Sequence, residues 1–157
     1  VGTFYYAPGC GLYVVIAYKS DNELSMAEEL LETLSYTGIG GKKTSGMGKF
    51  NFRKGKPSKE LEERLCKKSA RSMLISVALP KEVEINQAME NASYLLEKRT
   101  GFVASIDYAL EWRKKNDLYV FTPGSCFTNR FSGDIYDVSN GGNHAVYRYA
   151  KALFLGV

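Results

Sequence analysis

Gly38-Ile39-Gly40-Gly41-Lys42-Lys43-Thr44-Ser45-Gly46-Met47-Gly48-Lys49-Phe50 decides how the rest of the chain is read. Five of these thirteen residues are glycine, a density that neither helix nor strand tolerates. The stretch is a loop, and its neighbours fix what it connects. Upstream, Ala27, Leu30, Leu31 and Leu34 recur at helical spacing while Glu28, Glu29 and Glu32 take the opposite face. Ser25 with Glu28 predicts a capping box at the start of this helix, and Gly38 predicts its end. Ahead of it, Leu12-Tyr13-Val14-Val15-Ile16-Ala17-Tyr18 is a continuous apolar and aromatic run. Such a run predicts a strand buried on both faces.

Downstream, Phe50 and Phe52 alternate with Asn51 and Arg53 and predict a short strand with both rings on one face, for core packing or base stacking. A second helix, capped by Ser58 with Glu60 and Glu62 in its first turns, is expected to reach about Lys68. Arg71 to Leu79 reads as a strand that groups Met73, Ile75 and Val77 and stops at Pro80. Tyr94 to Arg99 and Phe102 to Ile106 predict a hairpin around Gly101. Leu118 to Thr122 is a strand ended by Pro123-Gly124, Ser132-Gly133-Asp134 punctuates the next pair, and Ala145 to Leu155 is a long terminal strand. Arg113-Lys114-Lys115 reads as a solvated helix end. The order predicts an α+β fold, one sheet covered by helices on one face. The expected core is ferredoxin-like (RRM-type) with additional β insertions, as a single domain over residues 1–157.

With 157 residues and 17.5 kDa, the chain holds one domain's worth of core. No apolar run approaches the roughly 18 residues that cross a bilayer, and Val1 to Tyr6 carries no leader pattern, so no membrane association or secretion is expected. Cys10, Cys66 and Cys126 form no CxxC pair, and His144 is the single histidine. A zinc knuckle, a disulfide framework and a multi-histidine metal site are excluded, so no metal and no cofactor is expected, and reduced thiols fit a cytoplasmic setting. The sequence begins at Val1 rather than Met and runs at once into the strand-like Thr3-Phe4-Tyr5-Tyr6, which suggests a piece of something longer.

Charge is unevenly spread. Lys42 to Arg71 holds eleven basic and three acidic residues, net +8, while the remainder is net −4. A basic segment on a mildly acidic body suits a polyanion partner, although a solvated lysine-rich surface has the same composition. The loop adds chemistry to the charge. Backbone N–H groups of a glycine-rich turn can converge on an anion where no side chain blocks the approach. Lys42 and Lys43 supply cations there, and Thr44 and Ser45 supply hydroxyl donors. A nucleotide P-loop is excluded, because Met47 stands where GxxxxGK[ST] needs lysine and a helix, not a strand, precedes the loop.

Helix, this loop and the following strand resemble the signature of the repeat-associated mysterious proteins (RAMPs) of CRISPR systems. Five further blocks narrow the resemblance: Ser72-Met73-Leu74-Ile75-Ser76 leading to Pro80, Lys98 to Val103, Pro123 to Phe127, Phe131 to Ile135, and His144 to Tyr149. Together they are similar to the fourth subunit of the type III-A (Csm) interference complex, over the C-terminal half of that family. Ala150 before Lys151 and Met47 in the loop depart from its pattern. The resemblance implies a non-catalytic subunit that holds the repeat-derived 5′ handle of crRNA and docks to the large polymerase-type subunit and to the repeating backbone subunit. It assigns handle contact to Gly40, Gly41, Lys42, Lys43, Ser45 and Gly46; by position and chemistry, Arg53, Arg99 and Arg148 are further candidates.

Two other functions remain open on the residues alone. Some RAMP relatives cleave crRNA precursors without metal, with a histidine as general base on the 2′-OH, which makes His144 the alternative catalytic residue. Beside Gly142 and Asn143 at the start of a strand, a lone histidine is more often a turn or hydrogen-bonding residue. A pure protein–protein adaptor is the third reading. Arg148 projects opposite to Tyr147 and Tyr149 and serves either RNA contact or a partly buried structural role. Asp134 and Asp137 are expected on opposite faces, which argues against a two-carboxylate metal site.

Overall fold

The computed structural model describes residues 5–103 and 105–157. Thr3 and Phe4 of the stretch Thr3 to Tyr6, and Ala104 of the expected hairpin, lie outside the described residues. The chain divides into two compact units, Val1–Lys56 and Pro57–Val157.

The first unit is built on α1 (Asp21–Thr37). The helix starts earlier than Ser25 because Ser20 and Glu23 offer the same S-x-x-E pattern a turn upstream. Ser20 Oγ accepts the Glu23 N–H at 3.3 Å, and the Glu23 carboxylate accepts the Lys19 N–H at 2.7 Å. Gly38 ends the helix as expected, with φ +80° and its N–H donating to Leu34 O at 2.7 Å. The expected strand at Leu12 to Tyr18 is not formed. The segment is irregular, and Leu12, Tyr13 and Val14 are 73, 90 and 68% exposed. A strand is stable only beside another strand, and none pairs with it among the described residues. Phe50 to Arg53 is likewise irregular, with Phe50 half-buried and Phe52 exposed.

The second unit opens on α2 (Lys59–Cys66), where Ser58 Oγ accepts the Leu61 N–H at 3.3 Å, the cap read from the sequence. There follow β1 (Ser72–Leu74), α3 (Glu82–Met89), β2 (Leu96–Arg99), β3 (Phe102–Val103), β4 (Arg113–Lys114), β5 (Leu118–Phe121), β6 (Cys126–Phe127), β7 (Gly133–Asp137), β8 (Tyr147–Lys151) and β9 (Phe154–Gly156). Strand β1 lies between β6 and β9, antiparallel to both. Further along, Ala78 and Phe121 exchange backbone hydrogen bonds of 3.3 and 2.8 Å, and the Leu79 N–H reaches Ala150 O at 3.0 Å. Residues 72–79 therefore run between β6 and β5 on one side and β9 and β8 on the other. Strand β2 flanks β5, and β7 flanks β8. The fold is α+β.

Four expectations about this unit are corrected. The hairpin around Gly101 is absent: β2 pairs with β5 and β3 pairs with β4. Arg113 and Lys114 are therefore strand residues, not a helix end. The stretch Ala145 to Leu155 breaks at Ala152 and Leu153 into β8 and β9, where Leu153 N–H donates to Ser76 Oγ and Ala152 N–H to Ser132 O, both at 2.9 Å. The fully buried side of residues 72–78 is Ser72, Leu74 and Ala78, while Met73, Ile75 and Val77 are only half-buried.

The core explains that choice of face. Phe121, Phe127, Phe131 and Phe154 pack with their ring centroids 5.1–6.1 Å apart, mostly edge to face, over Leu74 and Ala78. Four phenylalanines leave room only for small or slender residues beneath them. Ala88 of α3 closes the cluster. Burial raises the Glu84 carboxyl, but backbone N–H groups of Lys81, Ser132 and Gly133 at 2.9, 3.0 and 3.2 Å outweigh it and hold the group below the usual carboxylate range. Arg130 ties α2 to the sheet. Its Nε donates to Ser72 Oγ at 2.8 Å and its guanidinium to Lys67 O at 2.6 Å.

Candidate nucleic-acid interface

The glycine loop hangs from α1 on a narrow neck. The Ile39 N–H donates to Gly48 O at 3.0 Å, and the Met47 N–H to Lys42 O at 3.3 Å. Gly38 and Gly48 face each other so closely that a side chain on Gly48 would overlap the Ile39 carbonyl oxygen. Between them, Lys43–Ser45 forms one 3-10 turn ended by Gly46 in the left-handed conformation, φ +76°. Two kinds of glycine are thus distinguished. Gly38 and Gly48 let two backbone segments meet, whereas Cβ atoms on Gly40, Gly41 and Gly46 would project into open space.

That open rim is where the sequence-derived residues lie. Gly40, Gly41, Lys42, Lys43, Ser45 and Gly46 are all exposed. The N–H groups of Gly40, Gly41 and Lys42 meet no backbone acceptor among the described residues. Lys42, Lys43, Lys49 and Arg53 are exposed and form no ion pair among the described residues. Lys54 differs. Its ammonium lies 2.5 Å from Glu28 on α1, whose carboxylate holds it above the usual lysine range. In the second unit Arg64 is paired with Glu60 at 3.0 Å. Some of the +8 segment is compensated in this way; the loop cations are not. Free donors beside unpaired cations form a surface on which phosphate oxygens can replace water.

Arg99 and Arg148 lie in the second unit and are neighbours there. Arg148, on β8 opposite Tyr136, donates to Thr100 O at 3.1 Å. Arg99, on β2 opposite Leu118, is half-buried with its guanidinium 3.4 Å from Glu97. Arg148 anchors structure as well as offering charge, whereas among the described residues Arg99 meets only a neighbour on its own strand. Beside them Asp117, held by Lys98, Thr100 and Lys114, has its carboxyl pulled down to about 2.

His144 is exposed. Its Nδ1 lies 2.9 Å from Ala145 O, and its ring stands edge-on to Tyr108 with centroids 5.1 Å apart. Tyr108 is the organising residue that the sequence does not reveal. It is fully buried, its hydroxyl oxygen accepts the Asn140 N–H at 2.6 Å, and its carbonyl accepts the Asn143 N–H at 2.9 Å. A side chain at Gly142 would collide with its ring. No carboxylate or lysine hydrogen-bonds the His144 ring, so no acid–base partner accompanies it among the described residues. Asp134 and Asp137 are both on β7, three apart and so on opposite faces. Among the described residues no three His, Cys, Asp or Glu side chains gather as a metal site. No described helix is long and apolar enough to cross a membrane.

Comparison with known proteins adds a family. The CRISPR Csm4 C-terminal domain matches residues 67–157. Over 157 residues the chain is 40% identical to the CRISPR system Cms protein Csm4 of Mycobacterium tuberculosis strain H37Rv. It is 39% identical over 156 residues to the protein of the same name from Streptococcus thermophilus. The chain spans about half the length of these curated relatives, 50% in each case.

Proposed function

The chain belongs to the Csm4 family, part of a CRISPR effector complex, and from that premise we propose that it is a non-catalytic crRNA-binding scaffold. In this reading it holds the 5′ repeat-derived handle and docks to the large polymerase-type subunit and to the repeating backbone RAMP subunit, in the cytoplasm. The observation that carries the proposal is the loop rim: exposed Lys42 and Lys43 without ion-pair partners among the described residues, beside exposed Gly40, Gly41 and Gly46 whose side of the backbone is open. A strand order in which β2, β5, residues 72–79 and β9 are successive neighbours supports a ferredoxin-like RAMP core. Residues 122–146, with β6 and β7, stand where that fold carries its second helix.

The test is Lys42→Glu/Lys43→Glu in the assembled complex. Handle-RNA affinity is expected to fall at least about tenfold at low salt. The salt slope is expected to become shallower by about two, one for each phosphate that no longer meets a cation. Unchanged affinity and slope contradict the proposal and favour the adaptor reading. The endoribonuclease reading has its own control. His144→Ala is expected to leave RNA processing unchanged, because a lone imidazole without a positioned partner makes a poor general base.

A further inference from the structure

Two lysines of the second unit converge on one carboxylate. Lys98, on β2, brings its ammonium to 2.7 Å from Asp117, and Lys114, on β4, brings its own to 3.2 Å. The Thr100 hydroxyl donates to the same carboxylate, which these donors keep charged at neutral pH. Both ion pairs are open to solvent, with the Lys98 and Lys114 side chains 45 and 51% exposed. Exposed pairs of this kind are individually weak and give way to a competing anion. Behind them the Arg148 guanidinium donates to the Thr100 carbonyl at 3.1 Å and is in no ion pair among the described residues. Positive charge therefore remains at this turn after Asp117 has taken its share.

What stands beside the two lysines gives the ligand its class. Lys98 is opposite Tyr119 in the β2–β5 register, and its ammonium lies 5.9 Å from the centroid of that ring. Lys114 is opposite Phe102 in the β3–β4 register. Tyr119 and Phe102 are 55 and 58% exposed. Residues directly opposite share a face of their strand pair, so each lysine has an open aromatic ring for a neighbour. A cation for a phosphate and a ring for a base, twice over, suits a strand of nucleotides better than a bare anion or an acidic peptide. A carboxylate and a phosphodiester each spread one negative charge over two oxygens, so Asp117 occupies the place that a backbone phosphate would take. We infer that the Thr100 turn is a second contact for single-stranded RNA and that Asp117 is its built-in competitor. A backbone phosphate displaces the carboxylate from Lys98 and Lys114, while Arg148 adds its charge. With the competitor in place the contact is weak for free RNA and counts chiefly for a strand already tethered elsewhere. This inference rests on the reading that the chain binds RNA, but not on the glycine loop.

The experiment is Asp117→Asn in the assembled complex, titrated with labelled crRNA bearing its handle across a salt series. Asparagine keeps the size of the side chain and removes its charge. The variant is expected to bind about three- to tenfold more tightly at low salt, with a salt slope steeper by about one to two as the released lysines meet phosphates. Glu82→Gln makes the same change of net charge on α3, at an exposed residue in no ion pair among the described residues. It is expected to bind within about twofold of the parent, as surface charge remote from a contact is screened. Adding Lys98→Ala/Lys114→Ala to Asp117→Asn is expected to abolish the gain. Unchanged or weaker binding by Asp117→Asn overturns the inference, and this is the result if the surface serves a protein partner instead. An equal gain from Glu82→Gln overturns it too, as does a gain that survives loss of both lysines. A parent complex that holds the handle while Asp117→Asn changes nothing sinks this site alone; Lys42→Glu/Lys43→Glu judges the scaffold reading separately.

Discussion

Alanine placed in turn at Gly48, Gly46 and Gly41 separates the glycines that shape the loop from those on its open rim. Gly48 has φ +83°, and an added methyl would overlap the Ile39 carbonyl oxygen. The left-handed backbone alone costs about 1–2 kcal/mol with a Cβ. Relieving the overlap opens the neck and loses the Ile39–Gly48 hydrogen bond, about 1 kcal/mol more. The sum, about 2–3 kcal/mol, should raise the opening equilibrium of the neck by roughly 30- to 150-fold. Gly46 has φ +76° but open space, so its alanine should cost about 1 kcal/mol and roughly fivefold. Gly41 has neither constraint, and its alanine should leave the neck within about 0.5 kcal/mol of the original. Exchange of the Ile39 amide reads these three values directly. Handle-RNA affinity in the assembled complex should rank differently. Gly41→Ala puts a methyl on the donor rim and is expected to weaken binding by about tenfold, through loss of a charge-assisted hydrogen bond, without disturbing the neck. The reasoning is refuted if all three variants exchange alike, or if Gly41→Ala binds RNA as tightly as the unsubstituted protein.

Three further outcomes follow from the second unit. Glu84→Gln should cost about 2 kcal/mol at neutral pH, because a neutral amide replaces the charged acceptor of three N–H groups. The carboxyl is held low in the folded state, so its contribution is present above the unfolded value and fades as pH falls through the folded one. Urea unfolding should therefore show the difference between variant and parent shrinking between pH 7 and pH 3, and an equal difference at both would contradict this account. Phe127→Ala, at a fully buried position touching Phe121, Phe131 and Phe154, should cost about 4 kcal/mol in the same assay. Arg130→Met should cost about 2 kcal/mol and increase amide exchange in α2, since Ser72 Oγ and the Lys67 carbonyl lose their donor. A destabilisation below about 0.5 kcal/mol with α2 unmoved would show that the guanidinium ties nothing.

What the sequence discloses here is what is locally determined. Ser58 caps α2 and Gly38 stops α1 because each acts on amides within its own turn. Leu118 to Phe121 is legible because Pro123 and Gly124 bound it closely. Pairing is another matter. Thr100-Gly101 looks like a hairpin tip, but β2 finds β5 some twenty residues on, and only the whole sheet rewards that choice. Residues 72–78 mislead about their face because the ring cluster reserves its floor for Leu74 and Ala78. Helix α3 is not legible in the sequence because it buries only Ala88 and leaves Val83 89% exposed, so no apolar stripe announces it. Leu12 to Tyr18 has the composition of a strand, and no strand lies beside it among the described residues. Of the site, the loop and its lysines are visible in sequence, since glycine density and charge need no tertiary context. The division into neck and rim glycines, and the role of Tyr108 behind His144, appear only once the chain is folded.

The scaffold account is tested most directly by a labelled crRNA bearing its 5′ handle, titrated with the assembled complex in EDTA across a salt series. The same gel is scored for cleavage. The account predicts binding that weakens steeply with salt, depends on the handle, and leaves the RNA intact. Binding indifferent to removal of the handle, or cleavage that disappears with His144→Ala, would contradict it.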